Sequence, residues 1–404
     1  VTSATNRFLK NIKVGPTLAV ITALAVYSAL CFLFYGHTKT GHPYSSATGS
    51  YVRYEKALVA YVDTEFLNRD RATGFEVGYQ IVKLHVLTGE HRNETVVVRN
   101  ALNYTTNVRA RTGATVIICV DTANATSFNA WIYSYDRAPF LYLFIALFIV
   151  ALCAVGGNRG FKSIAGIIFT FTGVIFLFIP LLYRGYSPEL ASLGVMMVSL
   201  CVTLILLAGF SAKALSAILG TTAGIIISVM FLAVALKITR LSGFNANEAD
   251  MLIQIAGKTP MKVNGLLFAA ILISSLGAIM DIAISIASSI QEVSAGNNNL
   301  GAKALFNSGM NVGRDMMGTM ANTLIIAFTG TSLNVLVLLY SWNVSYYQLI
   351  NNAMIAIYII QAVSGGLAVI LTVPSVSFFS AKLIPAFGRQ RGKPAQHGKT
   401  TDLS

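Results

Sequence analysis

The sequence predicts an all-α polytopic membrane protein of about eight transmembrane helices, with a small extracytoplasmic β-rich domain, an OB-like barrel, between helices one and two. Three observations predict it. Of the 404 residues, 55% are hydrophobic and only 11% are charged, too few charges to clothe a water-soluble surface. Eight apolar segments each approach the roughly 20 residues that a helix rising about 1.5 Å per residue needs to cross a hydrocarbon core of about 30 Å. One long stretch, 36–137, breaks the apolar pattern and holds four of the five histidines.

The apolar segments run over 15–35, 139–156, 161–183, 189–209, 214–236, 264–289, 318–341 and 353–380. The first follows Arg7, Lys10 and Lys13, as a signal peptide would. Its length and the absence of a small-residue cleavage site over 35–40 favour a retained anchor. The expected organisation is therefore an N-terminus and first span over 1–35, the β-rich domain over 36–137, a seven-helix membrane domain over 138–383 and a basic tail over 384–404.

The net charge of +13 is placed at the ends of spans and not gathered as a nucleic-acid surface would be. Arg7, Lys10 and Lys13, then Arg159 with Lys162, Lys213, Lys303 with Arg314, and finally Lys382, Arg389, Arg391, Lys393 and Lys399 fall on one side if the span number is even. Basic residues favour the cytoplasm, so both termini are expected there and 36–137 outside. The loop over 237–262, with Lys237, Arg240, Lys258 and Lys262, argues weakly the other way. Cys31, Cys153 and Cys201 lie in spans, which leaves Cys119 alone in the outer domain and no intramolecular disulfide framework.

Within 36–137, five short runs rich in β-branched and aromatic residues read as strands, at 57–62, 80–87, 95–99, 115–121 and 128–133. Gly89 and Gly113 mark turns between them. Such barrels bind oligonucleotides or sugars in some proteins and serve as plain structural caps in others. Asn93, Asn103 and Asn124 begin glycosylation sequons, a pattern short enough to arise by chance.

Past Pro139 the chain is nearly continuous apolar sequence. The longest cytoplasmic connection, 290–317, contains a stretch from Leu300 to Gly313 expected to form an interfacial helix over the inner mouth. A faint echo links Ser192-Leu193-Gly194, Lys213 and Gly220-Thr221 with Ser275-Leu276-Gly277, Arg314 and Gly318-Thr319; duplication and chance both account for it. Gln361, Ser364, Gly365, Gly366, Thr372 and Pro374 mark the last span as one expected to bend or break.

Asp281 is the one ionisable side chain set well inside a long apolar segment, where a charge costs at least about 2.5 kcal/mol. Ser285, Ser288, Ser289 and Glu292 follow it on one helical face. The next segment answers with Asn311, Arg314, Asp315, Thr319, Asn322, Thr323 and Thr329. If the two polar faces meet, Asp281, Glu292 and Asp315 line a partly wet cavity beside Arg314, and hydroxyl and amide oxygens complete a site for a proton or a hard cation. The bland alternative is that Ser, Thr and Asn only hold helices together. No HExxH, GxSxG, Walker or CxxC motif is present and no histidine falls in a span, so an ATP-driven pump or a zinc enzyme is not expected, nor any cofactor. His37, His42, His85 and His91 read as exposed histidines rather than a metal site.

Gly277-Ala-Ile-Met-Asp281-Ile-Ala-Ile-Ser285-Ile-Ala-Ser288-Ser289-Ile-Gln-Glu292, followed by Gly313-Arg314-Asp315-Met-Met-Gly318-Thr319-Met-Ala-Asn322-Thr323-Leu324, resembles the YibE/F-like family of bacterial membrane proteins. The outer insert resembles that family's too. The resemblance implies a bacterial plasma membrane location and an eight-span layout, and marks the polar helix pair as a signature. It supplies no substrate.

The leading expectation is a secondary transporter or permease of an unknown small solute or ion, with a proton- or cation-responsive carboxylate at Asp281; Gln361 joins the expected pathway. The alternative is a non-transporting scaffold or sensor in which the β domain takes an envelope ligand. A third reading, a hydrolase or transferase using Asp281 and Asp315 as acid and base, needs both carboxylates at one substrate atom. The lipid bilayer is the expected partner, nucleic acid is not, and an oligomer is left open.

Overall fold

The structure is a computed structural model, and it describes residues 52–121, 129–242, 244, 249–297 and 300–391, without the side chains of the last four. The expected first span, His37, His42, Asn124 and the far C-terminal tail lie outside the described residues. Two compact units divide the described chain between Leu152 and Cys153.

The first unit holds a curled antiparallel sheet of five strands: β1 (Val52–Arg69), β2 (Glu76–Val86), β3 (Thr95–Leu102), β4 (Thr115–Asp121) and β5 (Asn129–Tyr135). Their order is β3-β2-β1-β4-β5. All five expected strands are present, and β1 is much longer than its apolar run. Register shifts between Val59 and Tyr61 and between Val62 and Thr64 bend β1, so that its first half pairs with β4 and its second with β2. Period-2 alternation turns Ala57, Val59, Val82, Leu84, Val98, Ile118, Val120 and Ile132 to one face, which forms a buried core.

The segment after β3 crosses this core and adds Val108 and Ala110 to it. Two buried amides hold its backbone. Asn100 Nδ2 donates to Val108 O at 2.7 Å and to Gln80 Oε1 at 3.0 Å, while Gln80 Nε2 donates to Ala110 O at 3.1 Å and Gln80 Oε1 accepts from Ala110 N at 2.9 Å. Arg109, between them, turns outward to Glu76 (2.7 Å) and Glu65 (2.5 Å).

Helices follow directly: α1 (Ala138–Gly173), a π-helical turn (Val174–Phe178), α2 (Ile179–Tyr183), α3 (Pro188–Ala208), α4 (Ala212–Thr239), α5 (Ala249–Ala256), α6 (Leu266–Gly296), α7 (Ala302–Thr331), α8 (Leu333–Ser341), α9 (Tyr346–Ile350) and α10 (Ala353–Arg391). The expected count of eight spans is corrected here. Among the described residues five helices are long and apolar enough to cross a membrane, and a sixth candidate is the pair α7 and α8, bent by 57°. The expected second and third spans lie in the 46 residues of α1 and α2. Gly157, with φ 54° and ψ −131°, a backbone state that L side chains resist, kinks the chain between the two expected segments.

In the second unit α10 packs on α4, α6 and α7, and α6 packs also on α3 and α4. Ile271, Ile279, Ile282, Ile286 and Ile290 of α6 lie in the resulting core with Leu200, Ile225, Val369 and Val373. The last span, where Gly365, Gly366 and Pro374 permit bending, is one helix, α10, with Pro374 and Pro385 inside it. The expected interfacial helix over 300–313 is the first part of α7, with Leu305, Gly309 and Gly313 buried.

Candidate functional site

Asp281 stands near the middle of α6, a helix built largely of isoleucine, leucine and small residues with no proline inside it. Two faces of α6 differ sharply. Ile279, Ile282, Ile286 and Ile290 are buried in the core. Ser274, Gly277, Asp281 and Glu292 lie exposed along the opposite face, with Ser285, Ser288 and Ser289 half-buried beside them. Ser285 Oγ donates to Asp281 O at 2.8 Å and Ser289 Oγ to Ser285 O at 3.1 Å, so these hydroxyls present lone pairs outward. The Asp281 carboxylate forms no ion pair with a described residue. Gln361 of α10 reaches the stripe, its Nε2 donating to Ser274 Oγ at 3.3 Å.

α7 lies antiparallel to α6 and touches it through apolar and small residues. A Cβ on Gly309 would strike Ile290 and Ser377, and one on Gly313 would strike Val373 and Ile286. The polar residues of α7 consequently face away from that contact. Asn311, Arg314, Asp315, Thr319, Asn322, Thr323 and Thr329 are all exposed, as is Gly318, where a Cβ would meet nothing within 4 Å. Thr319, Thr323 and Thr329 return their hydroxyls to their own helix at 2.7–2.8 Å. Arg314 Nη1 reaches Asn311 Oδ1 at 3.5 Å, and neither Arg314 nor Asp315 forms an ion pair with a described residue. Among the described residues Asp281, Glu292, Arg314 and Asp315 lie open, and small residues of α7 take the contact with α6.

A second polar feature escapes the reading of the sequence. Along the α4–α10 seam, Ser216 meets Ser380 (Oγ to Oγ 3.1 Å), Gly220 meets the backbone at Val376, and the place of a Cβ on Gly224 lies 2.9 Å from Thr372 Cα. Ser228, Ser275 and Ser364 then line a small cavity of about 10 Å³. Ser228 donates to Gly224 O at 2.8 Å and Ser275 to Ile271 O at 3.1 Å, while the buried Ser364 hydroxyl has no partner. Three oxygens around that volume fit one water molecule. The signal in the sequence is the four-residue spacing of Ser216, Gly220, Gly224 and Ser228. The echoing Gly318 is open where Gly220 is tightly packed, so the two do not play equivalent parts.

Charges gather at one end of the helices: Lys213, which opens α4, lies within electrostatic range of Arg159 and of Glu292 near the end of α6. At the loop side, Glu189, Phe244, Ile253, Lys262, Val263 and Asn264 are among the residues lining an open pocket of about 550 Å³. On the sheet's outer face, Tyr54, Trp131 and Tyr133 are exposed, with the Tyr54 and Tyr133 rings edge to face at 4.9 Å. Burial pushes the Cys119 thiol beside them up from its ordinary range. Among the described residues no group of three or more His, Cys, Asp or Glu side chains is placed to hold a metal ion. His91 approaches Glu94 at 3.0 Å.

No curated protein and no solved structure matches the chain. A family model described as YibE/F-like protein matches residues 144–386, which takes in all the helices from within α1 onward and begins after the sheet. The resemblance expected for the outer insert therefore lies outside the match. The stretch that carries the paired polar faces of α6 and α7 lies wholly inside it, and the chain belongs to the YibE/F-like family.

Proposed function

We propose that this chain is a polytopic protein of the bacterial plasma membrane that acts as a secondary transporter or permease, with Asp281 as its proton- or cation-responsive carboxylate. The observation that carries the reading is the open polar stripe of α6, with a carboxylate at its middle that lacks a counter-charge and the bare Gly277 beside it. A charge at that depth costs at least about 2.5 kcal/mol, and proteins that bear this cost use it at ion and proton pathways. A cation or water chain along Ser285, Ser288 and Glu292 would offset that cost. The gathering of Arg159, Lys213 and Glu292 at one end supports a cytoplasmic assignment for that end.

The test is proton uptake by proteoliposomes under an imposed pH gradient, comparing the native chain with Asp281→Asn. A loss of at least about tenfold in rate is expected if a positioned titratable group carries the step. An unchanged proton flux overturns the reading.

A second reading rests on the sheet. Five strands with β1 shared by both halves, and edge strands β3 and β5 drawn near each other, support a partly open OB-like barrel. Its exposed Tyr54, Trp131 and Tyr133 offer stacking surfaces to an envelope ligand such as a glycan, and the helices then anchor a sensor. Replacing Trp131 and Tyr133 with alanine separates the two: a sensor loses ligand binding and a transporter keeps its flux.

A further inference from the structure

Helices of the second unit show their surroundings two kinds of face. α4 exposes Leu219, Ile226, Ile227, Met230 and Val234, as helices bathed in hydrocarbon do. α7 is mixed. Its core side is occupied by α6 and α10, and among the described residues its other side carries Arg314, Asp315, Asn322 and Thr329 with the uncovered glycines Gly318 and Gly330, beside the exposed Ile325 and Ile326. Hydrocarbon offers no hydrogen-bond partner, so an amide such as Asn322 cannot be left facing lipid at low cost.

We infer that the face of α7 left open by the described residues is covered by α7 of a second copy of this chain, in a two-fold dimer that closes the Asp281 groove from that side. This inference rests on the membrane reading above. The face is complementary to itself: adjacent Arg314 and Asp315, each without an ion pair among the described residues, pair crosswise with Asp315 and Arg314 of the second copy in an isologous contact. Asn322 meets Asn322, each amide supplying both donor and acceptor, and Gly318 and Gly330 let the two backbones approach.

The experiment is cysteine cross-linking in native membranes. Asn322→Cys and Thr329→Cys are oxidised in the otherwise native chain, with Leu219→Cys on the apolar face of α4 as control. A product of twice the 43.3 kDa chain mass is expected from positions 322 and 329 and not from 219. In detergent, Asn322→Leu weakens dimerisation about tenfold, the loss of roughly one interhelical hydrogen-bond pair. Carbonate extraction run in parallel tests the membrane reading separately: a chain released from the membrane overturns that reading. A chain that stays embedded, yet cross-links from neither position, overturns the dimer alone. An internal disulfide between the thiol introduced by Asn322→Cys and the native Cys31, abolished by Cys31→Ser, overturns it too and assigns the cover to the chain's own first segment.

Discussion

Asp136 binds Lys56 and the start of α1 at once: Oδ2 meets Lys56 Nζ at 2.8 Å, and Oδ1 accepts from the backbone N–H of Ala138 at 3.3 Å. The carboxylate is buried and the lysine half-exposed, so the pair is worth more than a surface bridge and less than a fully enclosed one. It fixes the exit of β5 to the entry of the helix two residues later.

Asp136→Ala should therefore loosen that joint by about 1–3 kcal/mol, the loss of hydrogen bonds to a charged group. Hydrogen exchange at Ala138 and Leu141 amides reads it directly. Exchange there should accelerate while that of Leu84 in the sheet core stays slow.

Gln80→Leu should free the segment that crosses the sheet. It removes both bonds to Ala110 and the bond to Asn100, leaving buried backbone groups unpaired at a cost of about 2–4 kcal/mol. Arg109 and Arg111 sit in that segment, so limited trypsin digestion should cut there much faster in the variant.

Gly224→Val should disrupt the α4–α10 seam, because its side chain would be driven into the backbone at Thr372. Gly194→Ala is the contrast. A Cβ there meets nothing within 4 Å, and exchanging a helical glycine for alanine stabilises by up to about 1 kcal/mol. Melting temperatures in detergent should move in opposite directions.

Asp70 organises the turn from β1 to β2. Its carboxylate accepts from Thr73 Oγ1 at 2.5 Å, Ala72 N at 3.0 Å and Tyr104 Oη at 3.1 Å. The Thr73 hydroxyl, then the Ala72 amide, hold its carboxyl below the ordinary 3.8. A carboxyl depressed in the folded chain contributes stability that is present above its ordinary value and lost as pH falls through the folded one. An NMR titration of the Asp70 carboxyl carbon should find its midpoint below 3.8, and Thr73→Ala should raise it.

The sheet was legible because alternation is a local signal: Val82, Leu84 and Val86 name one face without reference to anything distant. The length of β1 was not, because its second half, with Asp63, Asn68 and Arg69, is polar and bulged. Asp281 was legible by contrast with its apolar neighbours. Which way it points was not, since the rotation of α6 against α7 depends on Gly309 and Gly313 fitting Ile290 and Ile286, a match between residues on different helices. The hydroxyl seam needed the same kind of knowledge: Ser216 and Ser380 become one feature only once α4 and α10 lie antiparallel.

That seam also limits how the helices move. With Gly220 and Gly224 notched over Val376 and Thr372, α4 and α10 cannot glide past one another by small amounts without driving a side chain into backbone. A slip has to skip a whole turn, about 5.4 Å, to find the next notch. The two helices behave as a keyed shaft.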